Sequence, residues 1–217
     1  MRWSDEGYLL SKNNYDENSI IIEAFTLDHG KYSGIVYGGS SRKQKKNFQI
    51  GNKILLNWIS KGSNRPGYFN IELMDPIAPL YFDDKKRCAS IRSATSILKI
   101  LLPERQINQK IYTSFEKMLD NLKVDNWIQI YIFWEMSLIK ELGFEINFSK
   151  IKKVIVLNDK IFNVPEVFIN EDFILKNKDD IKAALDFNKN LLLENFVIPN
   201  RLKFPLFRNI LEKYFLS

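Results

Sequence analysis

The sequence predicts an α+β protein in which a small five-stranded β-barrel is followed by a helical domain carrying one short β-hairpin. Two observations carry this reading. Five β-branched or aromatic runs, separated by Asn, Asp, Gly, Ser and Pro clusters, fill residues 7 to 75. Past Pro76 and Pro79 the apolar spacing switches from alternation to the period of a helix. A chain of 217 residues can bury two modest cores, and the switch divides it into 1–79 and 80–217. With 45 % apolar and 27 % charged residues the composition is that of a folded chain.

The predicted strands are "GYLLSK" (7–12), "SIIIEAFT" (19–26), "KYSGIVYG" (31–38), "KILLNWIS" (53–60) and "YFNIELM" (68–74). In the last two, Ile54, Leu56 and Trp58, and then Phe69, Ile71 and Leu73, alternate with their neighbours, so each strand has one apolar face. Five strands in so short a stretch suit a closed or partly open barrel. Gly30, in "LDHGKY", supplies the positive φ that joins the second strand to the third.

Asp83 or Asp84 caps a helix through "KKRCASIRSATSILKILL", where Ile91, Ala94, Thr95, Leu98, Leu101 and Leu102 recur at helical spacing. Capping is the better account of these two carboxylates, because no His or third carboxylate stands near them to complete a metal site. A second helix covers Gln109 to Leu122 and a third Trp127 to Leu142, ending at Gly143, a residue suited to the left-handed C′ position. The third is apolar over so wide a face, with Trp127, Ile130, Tyr131, Trp134 and Leu138 flanked by Ile128, Ile132 and Phe133, that it belongs at the centre of a bundle. Residues 152–164 read as a hairpin turning at Asn158-Asp159, residues 179–197 as a helix closed by Pro199, and "FPLFRNILEKYFL" as a last short helix.

Catalytic chemistry is poorly supplied. Cys88 and His29 are each the only residue of their type, which excludes an intrachain disulfide and a Cys-rich zinc site, and the lone His has no paired Ser or Cys motif to make a nucleophile arrangement. No Gly-rich phosphate fingerprint is present, so no enzyme and no cofactor are expected. A charged-then-apolar leader and an apolar run near membrane length are also lacking, and a cytoplasmic protein is expected.

Charge is distributed more tellingly than its net of +6 suggests. From His29 through Ile71 there is no acidic residue, yet Lys31, Arg42, Lys43, Lys45, Lys46, Lys53, Lys61 and Arg65 all fall there. Four of these cations crowd the turn "GGSSRKQKKN" between the third and fourth strands. A one-signed field of this kind attracts polyanions, nucleic acid foremost, and a solvated lysine-rich surface accounts for the charge equally well. Tyr32, Tyr37, Phe48, Trp58 and Tyr68 are interleaved with the charge. Trp58 is in phase with Ile54 and Leu56 and belongs to the core, whereas Tyr32, Tyr37 and Tyr68 are candidates to stack bases.

The opening "RWSDEGYLLSKNNYDENSIIIEAFTLDHGKYSGIVYGGSSRK" resembles the N-terminus of the RecO family of bacterial recombination mediators. The likeness lies in Trp3 and a Leu-Ser strand, Glu17 with Ser19 opening the next strand, "FTLDHGK", and the Gly-Gly-x-Ser-Arg-Lys turn. "FWEMSLIKELGFEINF" (133–148) is similar to that family's central helix, a Glu followed by apolar residues and then Leu-Gly-Phe. The resemblance implies an oligonucleotide-binding (OB) barrel ahead of a helical domain. It also implies a non-enzymatic protein that binds single- and double-stranded DNA, anneals complementary strands, and works with RecR to load RecA onto DNA coated by single-stranded DNA-binding protein (SSB), whose C-terminal tail is a further partner. The Arg42–Lys46 turn would then be a sequence-blind phosphate clamp. Many relatives carry a four-cysteine zinc module after the Leu-Gly-Phe helix; here only the hairpin occupies that place, and zinc is not expected. An RNA-binding barrel fits the same charge, and so does a protein scaffold whose helical part is the active one.

Overall fold

Strand alternation is what allows the N-terminal sheet to close on itself. The computed structural model describes residues 2–41, 48–60, 67–148, 153–170 and 172–216. β1 (Arg2–Asn14), β2 (Ser19–Thr26), β3 (Gly30–Tyr37), β4 (Lys53–Ile59) and β5 (Tyr68–Asp75) form a closed barrel in the order β1-β2-β3-β5-β4. The long β1 serves two neighbours, pairing with β4 over Arg2–Tyr8 and with β2 over Gly7–Asn14. A register shift between Leu9 and Ser11 bends it there. The ring closes through a parallel pairing of Ile35 on β3 with Tyr68 on β5. Leu9, Ile22, Val36, Ile54, Leu56, Trp58 and Phe69 fill the interior. Gly30 has the expected positive φ of 73°. A Cβ there would lie 2.2 Å from the Gln106 carbonyl oxygen, so the turn tolerates nothing larger.

Of the two candidate caps, Asp84 is the one used. Its Oδ1 accepts from the backbone N–H groups of Lys86 and Arg87 at 3.0 and 2.9 Å, which starts α1 (Lys85–Leu101). Ile91, Ala94 and Leu98 on its apolar stripe are buried. The first turn of α2 (Gln109–Asp120) sets the Tyr112 ring 5.3 Å from Tyr8 and 5.5 Å from Phe25, on the outside of the barrel. By contacts the chain divides within α2, into Met1–Tyr112 and Thr113–Ser217, with α1 on the barrel's side.

The second unit is built on α3 (Trp127–Glu141), which ends at Gly143 with φ 103°. Trp127, Ile128, Tyr131, Ile132, Trp134 and Leu138 are buried, while Phe133 stays 41 % exposed with its edge against Phe168. β6 (Val154–Leu157) and β7 (Lys160–Asn163) form the hairpin, and Asn158 and Asp159 both take positive φ at its turn. α4 (Lys178–Leu192) runs into a single π turn over Leu193–Val197, and α5 (Leu206–Lys213) follows.

A buried ion pair joins three of these helices. Glu135 and Arg208 have fully buried side chains; Nε and Nη2 of Arg208 donate to the two carboxylate oxygens at 2.5 and 3.1 Å. Tyr131 Oη donates to the same carboxylate at 2.7 Å, Asn188 Nδ2 at 3.2 Å, and Arg208 Nη2 also donates to the Leu185 carbonyl at 2.7 Å. Burial alone would push the guanidinium toward losing its proton, but Glu135, Tyr131 and Glu212 outweigh it and hold its pKa above the ordinary arginine value.

Removing one partner strands the other charge, so Arg208→Ala or Glu135→Ala should cost about 3–5 kcal/mol in urea unfolding. The double change Glu135→Leu/Arg208→Met should return most of that loss. Asp84 gives a pH-dependent check. Burial raises its pKa, but the N–H groups and guanidinium of Arg87 outweigh that and hold it below the ordinary 3.8. Its contribution is therefore present above 3.8 and lost as pH falls toward the depressed folded value. The stability gap between wild type and Asp84→Ala, followed by thermal unfolding, should narrow over that acidic window.

Candidate nucleic-acid interface

Six of the predicted cations, Arg42, Lys43, Lys45, Lys46, Lys61 and Arg65, lie outside the described residues. The chain flanking them is anchored on the barrel. Before the first basic segment, Ser40 Oγ donates to the Glu17 carbonyl at 2.9 Å, and after it Phe48 is buried with Lys12 Nζ on its carbonyl oxygen at 2.5 Å. Lys12, Asn13, Asn14, Ser40 and Gln49 line a cleft of about 450 Å³ between these two anchors. Directly after the second segment, the Gly67 carbonyl accepts from the Ile35 N–H at 3.2 Å, at the β3–β5 closure.

The predicted residues that are described do not form one surface. Lys31 is buried at 8 % exposure, and its ammonium donates to the Lys99 carbonyl at 2.6 Å, at the last turn of α1. Burial pushes its pKa below the ordinary lysine value. As a phosphate contact Lys31 is therefore corrected: it is an internal tie between β3 and α1. Tyr32 is corrected too. Its ring points into the barrel, edge-on to Trp3 and Trp58 at 5.0 and 5.3 Å, with the Arg105 guanidinium 5.2 Å from its centroid, and it cannot stack a base. Lys53 sits outside, but its ammonium is 2.9 Å from Glu6 and partly neutralised.

Tyr37 and Tyr68 keep the predicted exposure in different degrees. Tyr37 is 65 % exposed at the end of β3, one residue before the Gly-Gly pair. Tyr68 is half-buried at the start of β5, directly after the second basic segment. Their ring centroids are 5.7 Å apart, so the two form one aromatic step. Trp58 is core, as its phase indicated. Arg2 escaped the sequence reading: it is exposed on β1 opposite Ile59, in a stretch that Asp5, Glu6 and Gly7 make poor in strand-formers.

One further polar cluster is structural. His29 stacks on Trp3 with 4.0 Å between centroids, and its Nδ1 lies 2.8 Å from the buried Asp5, which also accepts from the Asp28 N–H at 2.9 Å. The cluster holds the β2–β3 turn. Cys88 donates its thiol to the Tyr81 carbonyl at 2.8 Å, and burial pushes its pKa up. Among the described residues no three His, Cys, Asp or Glu side chains are placed to hold a metal ion; with Cys88 its one cysteine, the chain lacks the ligands of a four-cysteine site. Among the same residues, no helix is long and apolar enough to cross a membrane.

A closed five-stranded barrel with this strand order, followed by a helical unit, defines an OB-like barrel protein with an appended α-helical part. Residues 1–76 match the family described as Recombination protein O N terminal, and residues 83–151 match Recombination protein O C terminal. The chain is 33 % identical over 165 residues to the DNA repair protein RecO of Jannaschia sp., covering 76 % of this chain and 68 % of that one. It is 34 % identical over 145 residues to that of Roseobacter denitrificans, covering 66 % and 60 %. To that of Hyphomonas neptunium it is 32 % identical over 153 residues, covering 69 % and 63 %. The chain belongs to the RecO family, whose members are DNA repair mediators rather than enzymes. It spans about three-fifths to two-thirds of the length of these relatives.

The two tyrosines assigned to opposite sides of β3 should separate cleanly in thermal unfolding. Tyr32→Ala should lower stability by on the order of 3 kcal/mol, as an aromatic deletion in a core does. Tyr37→Ala should change it by less than about 0.5 kcal/mol.

Proposed function

We propose that this chain is a recombination mediator that binds single- and double-stranded DNA regardless of sequence and anneals complementary strands. With RecR it helps load RecA onto single strands coated by SSB, in the bacterial cytoplasm. Membership of the RecO family implies dealings with DNA, RecR and SSB in general. The observation that carries the reading to this chain is the Tyr37–Tyr68 step, next in sequence to two segments, 42–47 and 61–66, that bring six cations and no carboxylate.

Such loops meet phosphates by charge, which is blind to base sequence and releases counterions. The aromatic step holds unpaired bases by their faces, which every base possesses. Annealing needs both properties. A strand whose charge is partly neutralised no longer repels its complement, and contacts that ignore base identity do not favour one sequence over another.

Changing Arg42, Lys43, Lys45 and Lys46 together to alanine should reduce the slope of log K against log salt by about 3 for single strands, at roughly 0.7 per phosphate contact. Annealing by the variant should fall in parallel, with or without SSB coating. Normal binding and annealing at every salt concentration would assign the clamp elsewhere. Competition between matched DNA and RNA strands checks the polymer, and a clear preference for RNA would replace repair with an RNA-binding role.

A further inference from the structure

Where α1 meets the barrel, a cavity of about 300 Å³ opens that the nucleic-acid reading does not use. Gly51 sets the close approach beside it: a Cβ there would lie 2.3 Å from Ile91 Cγ2, so barrel backbone and helix touch at this point. Next to that contact the two surfaces part, and Ile50, Ala78, Phe82 and Ile91 line the gap with carbon. Ala78 and Ile91 are buried, whereas Phe82 is 59 % exposed and forms an open wall. The volume is at the lower end of the range for small-molecule sites.

Its walls are fixed before anything binds. Asn52 is wholly buried, and its Oδ1 accepts from the Ala78 N–H at 3.0 Å, which pins the turn ahead of α1 to the barrel. The Cys88 thiol is held by the Tyr81 carbonyl at 2.8 Å, and the Lys12 ammonium by the Phe48 carbonyl at 2.5 Å. The charge on the lining has one sign. Lys12, Gln49, Cys88 and Arg92 complete it, which brings two cations and no carboxylate. Lys12 and Arg92 are exposed, so their charges stand toward solvent above the buried aliphatic floor. Asp84, the carboxylate four residues before Cys88, is engaged by the first turn of α1: it accepts from the N–H groups of Lys86 and Arg87, and its Oδ2 lies 2.5 Å from the Arg87 guanidinium.

We propose that this cavity binds a small amphipathic anion: a compact aromatic or branched hydrocarbon body that carries one acidic group. The body packs on Ile50, Phe82 and Ile91, and the acid meets Lys12 and Arg92. Each half of the lining selects one half of such a ligand. A neutral hydrocarbon forgoes the charge-assisted contacts, and an inorganic anion buries no apolar surface. Because the preformed walls need no ordering, little of the contact energy is lost on binding. The ligand touches barrel and helix together, so it binds only where both are in place, and occupancy stabilises the folded first unit by mass action.

The test adds 8-anilinonaphthalene-1-sulfonate to the full chain, with uncharged N-phenyl-1-naphthylamine as its neutral counterpart. The sulfonate should bind saturably with a Kd on the order of 100 μM, as an unoptimised ligand of this size does. Cys88, the only cysteine, reports where it binds. Its alkylation by iodoacetamide should slow about tenfold once the dye stands at roughly ten times Kd. Arg92→Glu, at an exposed helix position, should weaken the sulfonate about tenfold or more and leave the neutral dye within about twofold. Ile50→Trp fills the cavity and should exclude both dyes. Dye binding that leaves Cys88 alkylation unchanged, an Arg92→Glu effect equal on both dyes, or no saturable binding below about 1 mM would overturn the proposal. If Ile50→Trp fails to fold, Arg92→Glu and the alkylation rate decide it.

Discussion

A five-stranded barrel has room inside for one side chain of every neighbouring pair along a strand, and nearly every feature of the first unit follows from that limit. β3 shows it most clearly. Tyr32 and Val36 point in, and Gly34 lies between them because a Cβ there would meet the rings of Trp58 and Phe69 at 2.6–2.7 Å. Lys31, Ser33 and Tyr37 must then point out. Whether an outward residue is free is decided by what lies over it, and α1 with the stretch after it covers the first end of β3, while Tyr37 at the other end is exposed. Lys31 reaches the Lys99 carbonyl and Ser33 donates to Glu104, whereas Tyr37 meets Tyr68 at the far end. One strand thus supplies a core aromatic, an internal tie and a surface aromatic, and each role depends on parity and position.

The helical unit answers a different problem. α3 is apolar over most of its circumference, so its neighbours could pack on it in several rotations with similar burial. Glu135 removes that freedom: a buried carboxylate is tolerable only where Arg208, Tyr131 and Asn188 all reach it. The pair adds little net stability over an apolar equivalent, since desolvating two charges offsets most of their attraction. Its effect is on specificity, because a rotated α4 or α5 would leave a bare charge in the core. Lys189 extends the arrangement, reaching Glu212 at 3.0 Å, and Glu212 in turn approaches Arg208 Nη1 at 3.5 Å.

Much of this was legible in the sequence. β2 and β4 have the predicted starts, and β3 and β5 differ from them by no more than a residue at either end, because their alternation is strong and bounded by Gly, Asn and Pro. The first half of β1 was not, because Asp5, Glu6 and Gly7 are poor strand residues in isolation. Asp5 is acceptable inside only because His29 and the Asp28 N–H meet it, and Gly7 is needed because a Cβ there would lie 2.7 Å from the Phe25 carbonyl oxygen. Both reasons are tertiary. Lys31 looked like any outward cation, since no local pattern reveals that a helix 68 residues away will end over it. Glu135 stood in plain view within "FWEMSLIKELGF", but its partner is 73 residues on and carries no mark of burial.

On the proposed reading, the candidate interface would combine two kinds of contact that respond differently to the state of the nucleic acid. Charge on the basic segments would act on phosphates, which single strand and duplex both display, and its strength would fall steeply with salt. Stacking on Tyr37 and Tyr68 would act on base faces, which an unpaired strand offers and a duplex keeps stacked, and would be far less sensitive to salt. As two complementary strands pair, the second contact is withdrawn while the first persists. On the proposed reading, a protein holding both would be bound more tightly to the strands it starts with than to the duplex it makes, and release of the annealed product would need no energy-consuming step.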